Sequence, residues 1–371
     1  MTRRLCGESH YSAALLAVAG YGLPGGTRAF PSAPLPDPEW DALLVAAKAH
    51  RVLGPLRAAV DAGALPVTGA QRQQARGAHR AVLLRVLSLE RHLVALHDML
   101  DVLDVECRVL KGSAHAHLDY PEPALRSFID LDLLFRPEDF GRAVSVLSAA
   151  GFTRILAEPR PGFDRRFDKG TTLRGKGFEI DLHRTFVLGP WGVRVNIDDL
   201  WDSGEEFTVG GRTLVALSAP NRFLHACYHA ALGDWPLRLG SLRDVAQLLP
   251  TSLDVLGRAR AWGVQAVVAA AVADATRLLG LPAVVPLQSW AGGYAPTRRE
   301  SRWLGLHTRA EKTFAAQAVA TLPVLPGVRD KAAYLRALIL PDARYTAGRH
   351  SSVLSRVRFG VREALRGRGQ G

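Results

Sequence analysis

Arg126–Phe135 reads RSFIDLDLLF, and its two aspartates decide how the chain is read. The run of Ile, Leu and Phe predicts a buried strand. Side chains alternate across a strand, so Asp130 and Asp132 share one face while Ile129, Leu131 and Leu133 share the other. Two carboxylates side by side repel, and an apolar strand gains nothing from them. A divalent, oxygen-seeking metal is the simplest partner that makes the pair tolerable. On the same reasoning, Asp132→Asn relieves repulsion and is expected to stabilise the metal-free protein by about 1 kcal/mol.

Outward from that strand, GFEIDLHRTF (Gly177–Phe186) supplies a third acid. Alternation sends Phe178, Ile180 and Leu182 one way and Glu179, Asp181 and His183 the other. If the two strands are neighbours, Asp181 completes a three-carboxylate site. Such a site suits in-line phosphoryl or nucleotidyl transfer from a nucleoside triphosphate (NTP). A structural ion pair between Asp181 and an arginine is the competing reading. Upstream, VECRVL (Val105–Leu110) is a short strand that stops at Lys111-Gly112-Ser113. Gly112 allows close backbone approach to a ligand, Ser113 adds a hydroxyl, and a helix starting there presents its positive end to phosphate. Lys111 and Arg126 are candidate neutralisers of phosphate charge, although Lys111 on a turn also fits simple solvation.

This order of parts resembles the DNA polymerase β-like nucleotidyltransferase superfamily. More closely, it resembles a bacterial family of uncharacterised nucleotidyltransferases. The matching stretches are Leu110–Ala114 (LKGSA), Tyr120-Pro121, Arg126, Asp130–Leu134 (DLDLL) and Phe178–His183 (FEIDLH). The helix RFLHACYHAA with His225 and His229, the later LRDVAQLL with Asp244, and LILPDARY also resemble that family. The resemblance covers roughly residues 40 to 345. It implies Mg²⁺ or Mn²⁺ held by Asp130, Asp132 and Asp181, with an NTP as substrate. Lys111, Gly112, Ser113 and Arg126 are then the nucleotide- and phosphate-binding set, and Glu179, His183, His229 and Asp244 are supporting residues. His225 and His229 have metal-ligand spacing, but without a glutamate between them packing is the preferred role. Asp244 and Arg243 either contact the acceptor or pair with each other.

The expected fold class is α+β: a small mixed β-sheet nucleotidyltransferase core with N- and C-terminal helical regions. Residues 1–103 form the N-terminal helical region, marked by the stripe Val82, Val86, Leu89, Leu93, Leu96, Leu100 and Leu103. Residues 104–216 form the core, with a hairpin signalled by RGKG at Arg174–Gly177. Residues 217–345 are helical again, and 346–371 form a basic tail. The alanine-rich stretch Val264–Val285 carries Asp274 and Arg277, so it reads as a buried helix rather than a membrane span.

The net charge of +12 comes almost wholly from arginine and favours anionic partners without choosing among them. Arg358, Arg362 and Arg366 recur every four residues in the tail, opposite an apolar stripe, which suits contact with an anionic surface. Cys6, Cys107 and Cys227 are scattered, with no metal spacing, and no secretory signal is evident. The expected location is therefore the cytoplasm. The acceptor is open among a small molecule, a protein and RNA. Two alternatives stand beside the main reading: a phosphotransferase or toxin-like nucleotidyltransferase acting on RNA or protein, and a scaffold protein with a decayed site.

Overall fold

In the computed structural model, the described residues are 8–233, 235–308, 314–346 and 358. A seven-stranded mixed sheet in the order β3-β4-β5-β2-β1-β7-β6 is the frame. Its strands are β1 (Cys107–Leu110), β2 (Leu131–Phe135), β3 (Thr153–Arg154), β4 (Gly170–Gly175), β5 (Phe178–His183), β6 (Gly204–Val209) and β7 (Arg212–Leu217). The sheet is larger than the small one expected. The extra width comes from GEEFTVGGRTLVAL, where Gly210 and Gly211 both take positive φ and close a tight hairpin. That hairpin adds β7, parallel to β1, and β6 beyond it. At Lys176-Gly177 the φ angles are 51° and 84°, so RGKG does make the β4–β5 turn.

The two faces of the sheet bury different things. On one face, Val109, Leu131, Leu133, Phe135, Ile180 and Leu182 pack under two helices. These are α4 (Gly69–Val102) and α6 (Phe140–Ala149), numbered after α1 (Ala13–Gly20), α2 (Asp37–Ala49), α3 (Leu53–Asp61) and α5 (Gly112–Leu118). The stripe on α4 behaves as its spacing predicts: Val86, Leu89, Leu93, Leu96 and Leu100 are buried, and a Thr68–Gln71 capping box starts the helix. Leu103 falls outside it, as the helix has ended, and is half-exposed.

On the other face, Leu110, Leu134 and Leu217 belong to a second core that also holds α1, α2 and α3. Two short helices, α7 (Phe163–Arg166) and α8 (Pro190–Val193), intervene before the helices that complete this core. They are α9 (Ala219–Leu232), α10 (Leu239–Gln247), α11 (Val255–Ala261) and α12 (Gln265–Leu279), followed by further helices up to residue 307. Helices from both ends of the chain thus share one core over the face that carries Asp132 and Asp181. The alanine-rich stretch becomes α12, which Gly280 ends in the left-handed conformation. No helix among the described residues is long and apolar enough to cross a membrane. Apart from Thr346 and Arg358, the basic tail lies outside the described residues, as does Cys6. Cys107 and Cys227 are buried, as small hydrophobes would be.

Candidate active site

Register builds the site. Leu110 pairs with Asp132, Asp132 with Asp181, and Asp181 with Thr172, giving one row across β1, β2, β5 and β4. Neighbours in such a row lie on the same face. His183, two residues beyond Asp181, reaches diagonally and places Nε2 2.8 Å from Asp132 Oδ1. One ligand atom each from Asp132, Asp181 and His183 lies within 4.8 Å of the others, a grouping that could hold a metal ion. Phe178, Ile180 and Leu182 point into the core under α4, the opposite way, as alternation requires.

Asp130 stands at the rim. Strand pairing begins only at Leu131, so Asp130 and Ile129 occupy a bend rather than the strand expected of them. The chain turns away there because Ser127 hydrogen-bonds the Arg51 carbonyl at 3.3 Å and Phe128, 1% exposed, takes the buried position. Ile129 consequently faces out, 58% exposed, rather than joining Leu131 and Leu133. Burial and the Asp132 charge raise the pKa of Asp130, and Asp181 adds to the repulsion; Lys111 and Arg51 oppose the rise.

Lys111 ends β1 and starts α5. Its backbone takes φ 44° and Gly112 takes φ 22°, which turns the lysine side chain back onto the sheet. Its Nζ lies 2.8 Å from Asp132 Oδ1, the same oxygen that His183 contacts. Burial disfavours the Asp132 charge, but Lys111 and His183 outweigh it and hold the carboxyl well below the usual range. Burial likewise disfavours the Lys111 ammonium, and Asp132, Asp130 and Asp181 together raise its pKa. The expectation that Asp132→Asn relieves repulsion therefore falls: Asp132 is the attractive centre of this cluster.

Asp130 is the acid under strain. Its raised pKa means that the native state binds its proton more tightly than the unfolded chain does. Its ionisation thus costs stability as pH rises from the ordinary carboxylate value of 3.8 through the folded one, and that cost persists at neutral pH. Asp130→Asn is expected to raise the melting temperature of the metal-free protein at pH 7.5 and to leave it unchanged near pH 3. Thermal melts at both pH values check this; an unchanged melt at pH 7.5 would contradict it.

Several sequence candidates are occupied elsewhere. Ser113, 2% exposed, donates to Glu90 Oε1 of α4 at 2.8 Å, and so its hydroxyl faces that helix. Arg126, 4% exposed, grips Asp244 on α10 with Nε at 2.7 Å and Nη2 at 2.8 Å, and Tyr120 Oη joins it at 2.7 Å. Its guanidinium is a buried clasp between the loop before β2 and α10, rather than a free phosphate hand. Arg243 does not pair with Asp244; it donates to the Ala19 and Tyr21 carbonyls. Glu179 sits on the outer part of the hairpin, half-exposed, and pairs with Arg174. Among the described residues Asp181 meets no arginine: it accepts from Thr172 Oγ1 at 2.5 Å, and Lys169 Nζ stands 3.8 Å away.

Helix α9 roofs this face. His225 stacks on Phe186 at 4.5 Å and meets the His183 ring edge-on at 6.5 Å. Burial, with the Lys111 charge next in size, depresses the pKa of both His225 and His229 well below the usual value. Both rings are therefore neutral. Thr172, Lys169 and Arg51 were not singled out from sequence. The first two were within reach, since the Lys176-Gly177 turn sets Gly175 opposite Phe178 and counts back to Thr172 opposite Asp181. Arg51, at the corner between α2 and α3, carries no local signal.

Likeness to solved structures is distant. A solution structure of the antibiotic-resistance factor ANT(2'')-Ia shares 16% identity over 47% of this chain and 90% of that one, with a TM-score of 0.34. A crystal structure of an antigenic nucleotidyltransferase-like protein from Paracoccidioides brasiliensis shares 15% identity over 54% and 96%, with a TM-score of 0.31. No curated protein matches the chain. The sequence pattern described as "Uncharacterised nucleotidyltransferase" matches residues 36–280, from the second helix to the end of α12 and with the whole acidic row inside it, so the chain belongs to that family of transferases.

Proposed function

We propose that the protein is a Mg²⁺- or Mn²⁺-dependent nucleotidyltransferase that moves a nucleotidyl group from an NTP to a hydroxyl of its acceptor. The observation that carries this reading is the row Asp132–Asp181, flanked by Asp130 at the rim and Lys111 at the strand end. The donor set fits a hard divalent cation, because carboxylate oxygens converge and Lys111 and Lys169 do not outnumber them. Asp130, Asp132 and Asp181 would hold the ion, which supplies charge neutralisation and polarisation of the phosphoryl oxygens.

The chain's own groups do the rest. Asp132 is oriented by His183, whose ring is fixed under α9. Lys111 and the backbone at Gly112 face the triphosphate. A Cβ at Gly112 would lie 3.1 Å from the Phe128 ring, so the turn is closely packed and its amide is held in place. Asp181, whose side chain is 21% exposed, is open to the acceptor. It takes the hydroxyl proton as the acceptor oxygen bonds to the α-phosphorus and pyrophosphate leaves. Excluding water from the roofed face favours transfer over hydrolysis.

Incubating the protein with each of four α-labelled NTPs and a cell extract, then locating the label by mass spectrometry, tests this reading. Label on an acceptor, dependent on added Mg²⁺ or Mn²⁺, is expected. In parallel incubations with γ-labelled NTPs, label on the acceptor instead would favour a phosphotransferase. His183→Ala probes the support of Asp132. Partners that orient a ligating group typically contribute 10–100-fold to metal affinity, so Mn²⁺ binding should weaken by about that factor. A Mn²⁺ titration matching wild type would remove His183 from the site.

A further inference from the structure

We propose that the Lys111 ammonium is an internal stand-in for the divalent cation: it holds Asp132 in the metal-free site and yields that carboxylate when the ion binds. The inference rests on the metal-site reading above and goes beyond it, because it makes metal entry a displacement rather than a filling of open space.

Geometry carries the argument. Lys111 Nζ and His183 Nε2 both contact Asp132 Oδ1 at 2.8 Å, so this oxygen already has two partners. A cation approaching the same oxygen meets the ammonium first. The two side chains are 14% and 3% exposed, so solvent screens the pair little, and the competition is felt in full. Consecutive positive φ angles at Lys111 and Gly112 direct the side chain inward, although a lysine following a strand could point to solvent at no cost. That conformation is uncommon for a residue with a side chain, and it is held where the chain meets the acids.

Other acids still attract the ammonium once Asp132 is given up. Asp130 and Asp181 remain close enough to act on it electrostatically. A flexible four-carbon stem lets the ammonium move while its backbone stays fixed. Released from Asp132, it becomes available to the phosphate oxygens of an incoming NTP. The pair thus keeps three acids together before the metal arrives and couples metal entry to the exposure of a phosphate-binding charge.

The test uses the full chain and Mn²⁺ alone, with free Mn²⁺ read by electron paramagnetic resonance. Lys111→Met should bind Mn²⁺ about tenfold more tightly than wild type, since a tenfold change corresponds to the loss of one modest competing contact. Lys111→Arg, which keeps the competing charge, should bind no more tightly than wild type. If Lys111→Met binds with wild-type or weaker affinity, the stand-in role is overturned. Asp132→Asn is the control for the underlying reading: if it binds Mn²⁺ as wild type does, the metal assignment itself fails, which is a different result. Should Lys111→Met not fold, the wild-type protein still answers. Acylation of Lys111, measured by peptide mass spectrometry against exposed Lys176, should rise severalfold on adding Mn²⁺. Unchanged labelling would overturn the displacement.

Discussion

Asp132→Asn is expected to lower nucleotide transfer by about 10²–10³-fold, the usual scale for removing one preorganised electrostatic group from a transition state. The read-out is label transfer from an α-labelled NTP to the acceptor in the same extract. The variant should also be less stable, by about 2 kcal/mol, because it leaves the Lys111 ammonium, 14% exposed, without its main partner. Asp130 and Asp181 limit that loss, since both still attract the lysine. The pH dependence has a definite sign. Asp132 has a folded pKa held well below 3.8, so its contribution is fully present above that value and fades as pH falls toward the folded one. Wild type and variant should therefore differ in denaturant midpoint at pH 7 and converge only in strong acid. A variant that transfers label at the wild-type rate would remove Asp132 from the mechanism. One that melts above wild type at pH 7 would restore the repulsive picture of the acid pair.

Asp244→Asn is expected to have the larger effect on stability, a loss of about 3–5 kcal/mol. The Arg126 guanidinium is 4% exposed and bonds both Asp244 oxygens, and Tyr120 donates to one of them. Burial disfavours the Asp244 charge, yet Arg126 outweighs it and lowers the carboxyl's pKa. Deleting the charge strands a buried cation, and water cannot reach it. Chemical denaturation at pH 7 measures the loss, and NTP affinity of the folded fraction should stay near wild type. The double variant Arg126→Met/Asp244→Leu should recover much of the stability, since well-packed apolar groups can replace a buried ion pair. Unchanged stability together with lost NTP affinity would return Arg126 to the phosphates.

Local periodicity in the sequence was enough to place several elements. Alternation over Phe178–His183 put Asp181 and His183 on one face and three apolar residues on the other, and the sheet keeps that arrangement. Spacing of three and four residues marked the buried stripe of α4, and Lys176-Gly177 marked the hairpin. These features depend on backbone geometry within one element or turn, and each residue carries its own signal. Alternation also set Asp130 and Asp132 together, but the strand begins one residue after Asp130, because where pairing stops depends on the neighbouring strands: β1 ends opposite Asp132, and the last pair is Leu131 with Ile180 of β5.

What the tertiary structure alone decided is who meets whom across the chain. Ser113 turned to Glu90, Arg126 to Asp244 and Lys111 to Asp132, over separations that no local pattern encodes. Each is a polar group carried into a low-dielectric interior, where it must find a partner or lose the stability that burial provides. The shared face of Asp181 and His183 was legible because a strand's geometry is local. The counter-charges of the acids were not, because a buried charge is satisfied by whichever element the fold brings against it.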